Sequence, residues 1–598
     1  MTKDQWLFAA AMFLVAAGAV LPVTIPAAPR TVMRFPAHQA RDVNPDTHLV
    51  LTFPSAPALG KTGKIRIFDT KDNRLVDMLD LSIPPGPTTP DTQGATAPYT
   101  PVPYEYVPGR FTNANTVPGT PSGVAARTPA TYQLTIIGGF TDAFHFYPVI
   151  IRGNVATIYP HHNLLEYGRT YRVEIDPGVL TLADGSFTGF GAKDAWTFST
   201  KASGPRAGLA RLVVTGDGSG DFNTVQGAVD RVPDRNPARV TIFIRSGLYE
   251  EIVYFRNKSN ITFLGEDRDK VQVFYANNEV FNPHPVNVAT NEWPGTFPSR
   301  RAAFMADNST GINLVNLTVK NISRGQAEGL LLAGERNIVS HVTVIGSGDA
   351  LQVNGSVYLT DSLVVGDGDT ILGRGPAFFD NCELRSPAVY MWTRNTSANH
   401  GNVFVNCIFR TPGDGMTEIA RAPTNKGRNY PNAEVVLINC ALSGISPVGW
   451  GAVGGDTTNV RYWEYNSTNL ADGSPVDVSR RHPVSRQLTM EKDAEMIANY
   501  SNPAWVLGGW APAMAPLILS HPAAVTVAAG QTATFSVTAA GIPRPALQWF
   551  KNGAALTGAT MATLKLERAR AGDAGSYTMT ATNSSGSATS RPAALSVR

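Results

Sequence analysis

Short stretches that alternate apolar and polar residues, each opened by Asn, Asp or His, recur along the middle of the chain. Asn260-Ile261-Thr262-Phe263, Asn316-Leu317-Thr318-Val319, His341-Val342-Thr343-Val344 and Asp361-Ser362-Leu363-Val364 are four of them. Asn381-Cys382-Glu383-Leu384, Asn406-Cys407-Ile408-Phe409 and Asn439-Cys440-Ala441-Leu442 continue the series. From position 316 the steps are 25, 20, 20, 25 and 33 residues. Strands at such spacing, with Gly and Asn between them and no helical period, predict a solenoid in which each rung buries its inward side chains against the next. A right-handed parallel β-helix over residues 208–512 fits, with positions 381, 406 and 439 stacked in one column. The Cys after each Asn then reads as a small buried hydrophobe before it reads as a reactive thiol.

The same patterning places elements on either side of the repeats. Apolar residues at 225, 228, 229 and 232 predict a short amphipathic helix that caps the coil, and Met490 to Tyr500 a helix that closes it. Between residues 30 and 203, Asp46 to Phe53, Lys64 to Phe68, Tyr171 to Ile175 and Trp196 to Thr200 alternate as strands do. This unit resembles bacterial immunoglobulin-like β-sandwich modules, interrupted from Ser82 to Thr131 by a Pro/Thr/Gly-rich insertion. Residues 514–598 resemble an immunoglobulin domain, with a strand Trp549 and a tyrosine corner in Asp573-Ala574-Gly575-Ser576-Tyr577. Val537 and Met579 stand where such a domain carries its disulfide, which predicts an apolar pin. The expected class is all-β: a solenoid flanked by two sandwiches.

Composition narrows the function. Charged residues make up only 16% of the 598, with 55 Gly and 43 Pro, as in a loop-rich β chain. The net charge of +3 and the lack of a long Lys/Arg run argue against a nucleic-acid partner. Met1-Thr2-Lys3 followed by the apolar stretch Trp6 to Val20 reads as a secretory signal peptide over residues 1–28, with an uncleaved anchor as the alternative. A secreted monomer, free of the membrane once the signal is removed, is expected. Three widely spaced cysteines offer neither a disulfide framework nor a metal site, so no cofactor is expected.

The candidate chemistry lies in two Gly-Asp turns. Gly368-Asp369-Thr370-Ile371-Leu372-Gly373 follows Gly348-Asp349-Ala350-Leu351 by twenty positions, about one turn of the coil. Two stacked carboxyls in different environments can divide into a nucleophile and a proton donor. The alternatives have weaker support: there is no Gly-x-Ser-x-Gly for a serine hydrolase and no His-Glu-x-x-His for zinc.

Seven segments in order make residues 212–450 resemble the pectin methylesterase family of parallel β-helix carbohydrate esterases. They are Gly218-Ser219-Gly220-Asp221-Phe222, Gly247-Leu248-Tyr249-Glu250-Glu251, Gln326-Ala327-Glu328-Gly329-Leu330, the two Gly-Asp turns, Ile419-Ala420-Arg421 and Pro447-Val448-Gly449-Trp450. The resemblance implies hydrolysis of galacturonate methyl esters in pectin (homogalacturonan), with Asp369 as nucleophile and Asp349 as general acid then base. It further implies Arg421 as the residue that holds Asp369 ionised and Gln326 as an oxyanion donor. Trp450 and Trp392 are candidates for stacking on sugar rings, and Trp392 equally for core packing. Three departures stand out: Gly348 replaces a second oxyanion Gln, Ala422-Pro423 replace the Pro-Trp after the arginine, and Ala350 replaces Thr. Gln352 or a backbone N–H could stand in for the missing amide; if the missing donor limits the enzyme, restoring Gln at 348 is expected to raise turnover. Two other readings stay open: a same-fold esterase on another ester, and a non-catalytic carbohydrate-binding or adhesive surface protein.

Overall fold

The computed structural model describes residues 31–86, 132–138, 143–194, 196–282, 290–291, 297–298, 300–421, 424, 429–451 and 454–598. The expected signal peptide, most of the Pro/Thr-rich insertion and Ala422-Pro423 lie outside the described residues.

The repeats coil into three sheets of parallel strands. One has eleven strands, from Arg211–Val214 to Ser485–Gln487. A second has nine, from Gly247–Glu250 to Thr468–Asn469, and a third six, from Val253–Arg256 to Met391–Thr393. Side chains that face inward form ladders along the axis. Val339, Leu359, Phe379, Phe404 and Leu437 are register partners in consecutive strands, and all are buried. The rings of Phe379 and Phe404 stack with centroids 4.3 Å apart. Fully burying each such side chain contributes about 1.5–3 kcal/mol.

The Asn, Asp or His that opens the repeats from 316 on has a conformational reason; Asn260, read as the first of the series, instead precedes strand Ile261–Gly265 of the eleven-stranded sheet. Asn316, His341, Asp361, Asn381, Asn406 and Asn439 all have φ between 50° and 60°. They turn the chain from the eleven-stranded to the nine-stranded sheet through the left-handed region, which short polar side chains tolerate best. Each corner N–H bonds to a carbonyl one rung on, as Asn381 does to Val405 and Asn406 to Ile438, both at 3.0 Å. The residue after the corner points inward. Cys382 donates its N–H to Cys407 Sγ at 3.4 Å, and the three thiols are free and buried. Burial first, and the neighbouring thiols second, push Cys407 well above the usual thiol range. It is packing material, as expected.

Helix α1 (Val225–Arg231) closes the upstream end, with Val225, Ala228 and Val229 in the core. Its free N–H groups are taken by acids from elsewhere, which favour a helix N-terminus. Asp46 of the N-terminal sandwich accepts from Asn223 (2.9 Å) and Thr224 (2.8 Å), and Glu251 of the coil accepts from Val225 and Gln226. Helix α2 (Met490–Tyr500) covers the outer face of the eleven-stranded sheet, where Ile497 and Tyr500 join Phe378, Val403 and Val436.

The N-terminal unit is a two-sheet sandwich of four and five strands, its core including Trp196 and Phe198. Its Ile137 and Phe144 also pack with Tyr254, Met305 and Leu331 on the outer face of the six-stranded sheet. The sandwich thus covers the upstream rungs of that face. In the C-terminal module Trp549 pairs with Met579, Val537 lies in the same core, and Tyr577 Oη donates to Asp573 O at 2.7 Å. Apolar contact fills the place of the disulfide.

Candidate active site

The six-stranded sheet aligns Leu330 with Leu351 and Leu351 with Ile371. Two residues before each partner stands an acid: Glu328, Asp349 and Asp369. The coil therefore sets three carboxylates on consecutive rungs, about 4.8 Å apart along the axis. Asp349 (φ +71°) and Asp369 (φ +41°) both lie in left-handed turns just before their strands. Asp367 pins the upper turn: its carboxylate accepts from Gly348 N (2.6 Å) and Ser347 Oγ (2.8 Å).

Each candidate catalytic acid has its own arginine. Arg421 Nη1 donates to Asp369 Oδ2, and the backbone N–H of Arg421 is held by Met391 O at 3.0 Å. The Arg421 guanidinium also lies 4.3 Å over the ring of Trp392, with Arg394 4.7 Å from the same ring. Asp349 is bound differently. Arg301 Nη2 donates to Asp349 Oδ2 at 3.0 Å, Arg301 Nε to Glu328 Oε1 at 2.7 Å, and Arg301 Nη1 to Glu279 Oε2 at 3.4 Å. The Asp349 side chain is 6% exposed, against 18% for Asp369 and 42% for Arg421. Burial raises the Asp349 carboxyl to about 7; Arg301 opposes the shift, while Glu328 and Asp369 add to it. One acid is thus enclosed and proton-retaining, the other paired with a half-exposed cation. An enclosed carboxyl can donate a proton near neutral pH, and an ionised neighbour can attack an electrophile.

The remaining candidates divide. Gln326 is exposed on the loop that the Ala327–Ser347 hydrogen bonds hold against the Asp349 rung. Gln352 lies between Leu331 and Leu372 in the sheet, 1% exposed, and among the described residues neither of its amide atoms has a hydrogen-bond partner. A buried amide left unpaired costs about 1–3 kcal/mol, which a ligand oxygen would recover. Trp392 meets Tyr430 edge-on at 5.8 Å, under the two guanidinium groups.

One expectation is overturned, and a second meets an obstacle. Trp450 is fully buried and stacks on Tyr462 with centroids 4.5 Å apart, so it is a core residue and not a sugar platform. Ala420 bridges to Trp450 as the last step of the rung, which turns the indole inward. Trp450→Ala should cost about 3–5 kcal/mol in a denaturant-unfolding measurement, the range of large aromatic deletions in cores. An unchanged midpoint would return Trp450 to the surface. Restoring Gln at 348 also meets an obstacle. Gly348 has φ +46°, and a Cβ there would sit 2.8 Å from Gly325 O. A side chain at 348 strains the turn that carries Asp349, so Gly348→Gln is expected to lower activity.

The sequence reading missed Arg301, Glu328, Glu279 and Asp367. Glu328 carried a usable signal, since it precedes Asp349 by 21 residues, nearly the interval that separates the other two acids.

Residues 211–505 match the Pectinesterase family model, and residues 516–597 match the Immunoglobulin I-set domain model. Pectinesterase QRT1 of Arabidopsis thaliana is 31% identical over 256 residues, 40% of this chain and 63% of that protein. Probable pectinesterase 30 of the same plant is 24% identical over 276 residues, 44% of this chain and 53% of that protein. The pectin methylesterase from carrot superposes with a TM-score of 0.41 at 20% identity, over 51% of this chain and 95% of that one. The chain spans about half to just under two thirds of the length of these curated relatives.

Proposed function

We propose, from the match of residues 211–505 to the Pectinesterase family model, that the chain hydrolyses the methyl esters of galacturonate in pectin, releasing methanol and pectate. The observation that carries the reading is the pair of stacked acids in opposite settings, Asp349 enclosed and raised to about 7, Asp369 joined to Arg421.

The Asp369 carboxylate, held through Oδ2 by Arg421 Nη1, attacks the ester carbonyl carbon. The carbonyl pair moves onto oxygen, where the Gln326 amide and the unpartnered Gln352 amide offer donors. Collapse of the tetrahedral species expels methoxide as Asp349 gives up its proton, so methanol leaves and a mixed anhydride with Asp369 remains. Asp349, now a carboxylate, takes a proton from water as that water attacks the substrate acyl carbon of the anhydride. Breaking the anhydride bond frees the galacturonic acid, which gives its proton to solvent to become pectate, and regenerates Asp369 ionised and Asp349 protonated. Trp392 is buried, with the Arg394 and Arg421 guanidinium groups against its ring, so of its two expected roles packing beside the arginine that pairs with Asp369 is the one supported.

The reading places the enzyme outside the cytoplasm, on the strength of the apolar segment Trp6 to Val20. Among the described residues no helix is long and apolar enough to cross a membrane.

The direct test is methanol release from highly methylated pectin by the purified full chain; no release would end the proposal. A pH dependence follows as well. Acylation needs Asp349 protonated in the free enzyme, and the protonated fraction falls as pH rises through about 7. The profile of kcat/KM against pH should therefore show an alkaline limb near pH 7. A flat profile up to pH 9 would remove Asp349 from the acid role.

A further inference from the structure

We propose that Glu328 is a positioning residue for the acid–base step: by engaging Arg301 it draws that cation away from Asp349 and so keeps the Asp349 proton in place. The inference rests on Asp349 as the proton donor, and it assigns to this chain an electrostatic device built from residues outside the two Gly-Asp turns.

The geometry is that of one cation shared by three acids. Arg301 spreads its fork so that Nε meets Glu328, Nη2 meets Asp349 and Nη1 meets Glu279. The contact with Glu328 is the shortest of the three, at 2.7 Å. Glu328 is fully buried, and among the described residues its Oε2 has no hydrogen-bond partner, so Arg301 is the charged group that holds this carboxylate. A buried carboxylate with a single charged partner holds that partner strongly, because losing it strands the charge. Glu279 is the outlying member, at 3.4 Å with a side chain 16% exposed.

The arrangement is fixed from behind. The Asn321 side-chain amide donates to Arg301 O at 3.1 Å and to Glu328 O at 3.0 Å, which ties the two backbones to one group. Asn321 Oδ1 in turn accepts from Asn277 N. Arg301 and Glu328 therefore come as a preset unit to which Asp349 is added.

The charged groups around Asp349 come from several rungs. Arg301 approaches from upstream, with Glu328 and Glu279 on its other nitrogens. Asp369 lies one rung downstream, and Arg394 acts on Asp349 from the far edge of the sheet. Arg421 is taken by Asp369, and Asp367 by Gly348 and Ser347. With Arg301 committed to Glu328, Asp349 faces two anions and a weakened cation. Removing the Glu328 charge leaves Arg301 free to stabilise the Asp349 carboxylate, and the proton departs at lower pH.

The test reads the proton itself. Infrared titration of the full chain follows the Asp349 carboxyl, identified by the band lost in Asp349→Asn, alongside the pH profile of methanol release. Glu328→Gln should lower the Asp349 midpoint by about one pH unit or more, the scale on which a neighbouring charge acts. The alkaline limb of turnover should move with it. Glu328→Asp, which keeps the charge, should bring the midpoint back towards that of the parent. Glu279→Gln should give a smaller shift in the same direction, and it decides the matter should Glu328→Gln not fold. Variants that fold but leave the midpoint within about 0.3 unit overturn the proposal. So does an equal loss of turnover in Glu328→Gln and Glu328→Asp with no movement of the limb. A midpoint that shifts in a parent chain without methanol release would remove the pectinesterase reading and keep the electrostatic one.

Discussion

Asp369→Asn is expected to cut methanol release by about 10⁴-fold or more, the scale on which loss of a covalent nucleophile is felt, with the fold intact. The substitution keeps the side-chain volume and the left-handed turn, which Asn accepts as readily as Asp. What it removes is the negative charge that attacks the ester. The structural cost should be small because the partner, Arg421, has a side chain 42% exposed and loses little solvation when the pair is broken. Half-exposed pairs of this kind contribute about 0–1 kcal/mol. Steady-state methanol release and a thermal melt, taken on the same preparation, separate the two effects. Near-parental release from a folded Asp369→Asn chain would mean that another group attacks the ester.

What could be read in advance follows from which interactions are local. The corner residues from Asn316 to Asn439 were legible because a left-handed backbone restricts the residue types at one position, rung after rung. The interval between Asp349 and Asp369 was legible because it equals one turn of a coil whose period the strands themselves set. Helix α1 could be placed from its apolar spacing, and the structure adds its Thr224 cap. Trp450 was misjudged because a motif names a residue but not the face it takes. The direction came from the Ala420 bridge and the Tyr462 ring. Gly348 looked like a lost donor from its identity alone; its φ of +46° and the nearness of Gly325 O give glycine a backbone reason to be there. Arg301 was out of reach for a different reason. It meets Asp349 from 48 residues away and Glu328 from 27, and no local pattern announces such a contact.

Arg301→Met is the structural counterpart of the nucleophile change, and it should destabilise the fold by about 3–5 kcal/mol at neutral pH, the usual cost of stranding a buried charge. The guanidinium, 8% exposed, faces Glu328 at 0% and Asp349 at 6%. Without it, acids that burial already pushes above the usual carboxylate range would rise further. The sign of the pH dependence follows. In the unfolded chain these groups ionise near pH 4, whereas in the folded variant they keep their protons to higher pH. The parent's Asp349 already keeps its proton to about pH 7, so the deficit relative to the parent opens as pH rises past the parent's own folded midpoints, where only the folded variant still holds the protons. Urea unfolding at pH 4.5 and pH 8 should show the deficit small at the first and large at the second. Adding Glu328→Gln to Arg301→Met removes the acid most dependent on the cation. Because taking away both partners of a buried pair costs far less than taking away one, the double variant should recover much of the loss. A deficit that is the same at both pH values, and that Glu328→Gln does not relieve, would mean that Arg301 contributes through packing rather than charge. The three-acid cluster would then lose its role in placing the Asp349 proton.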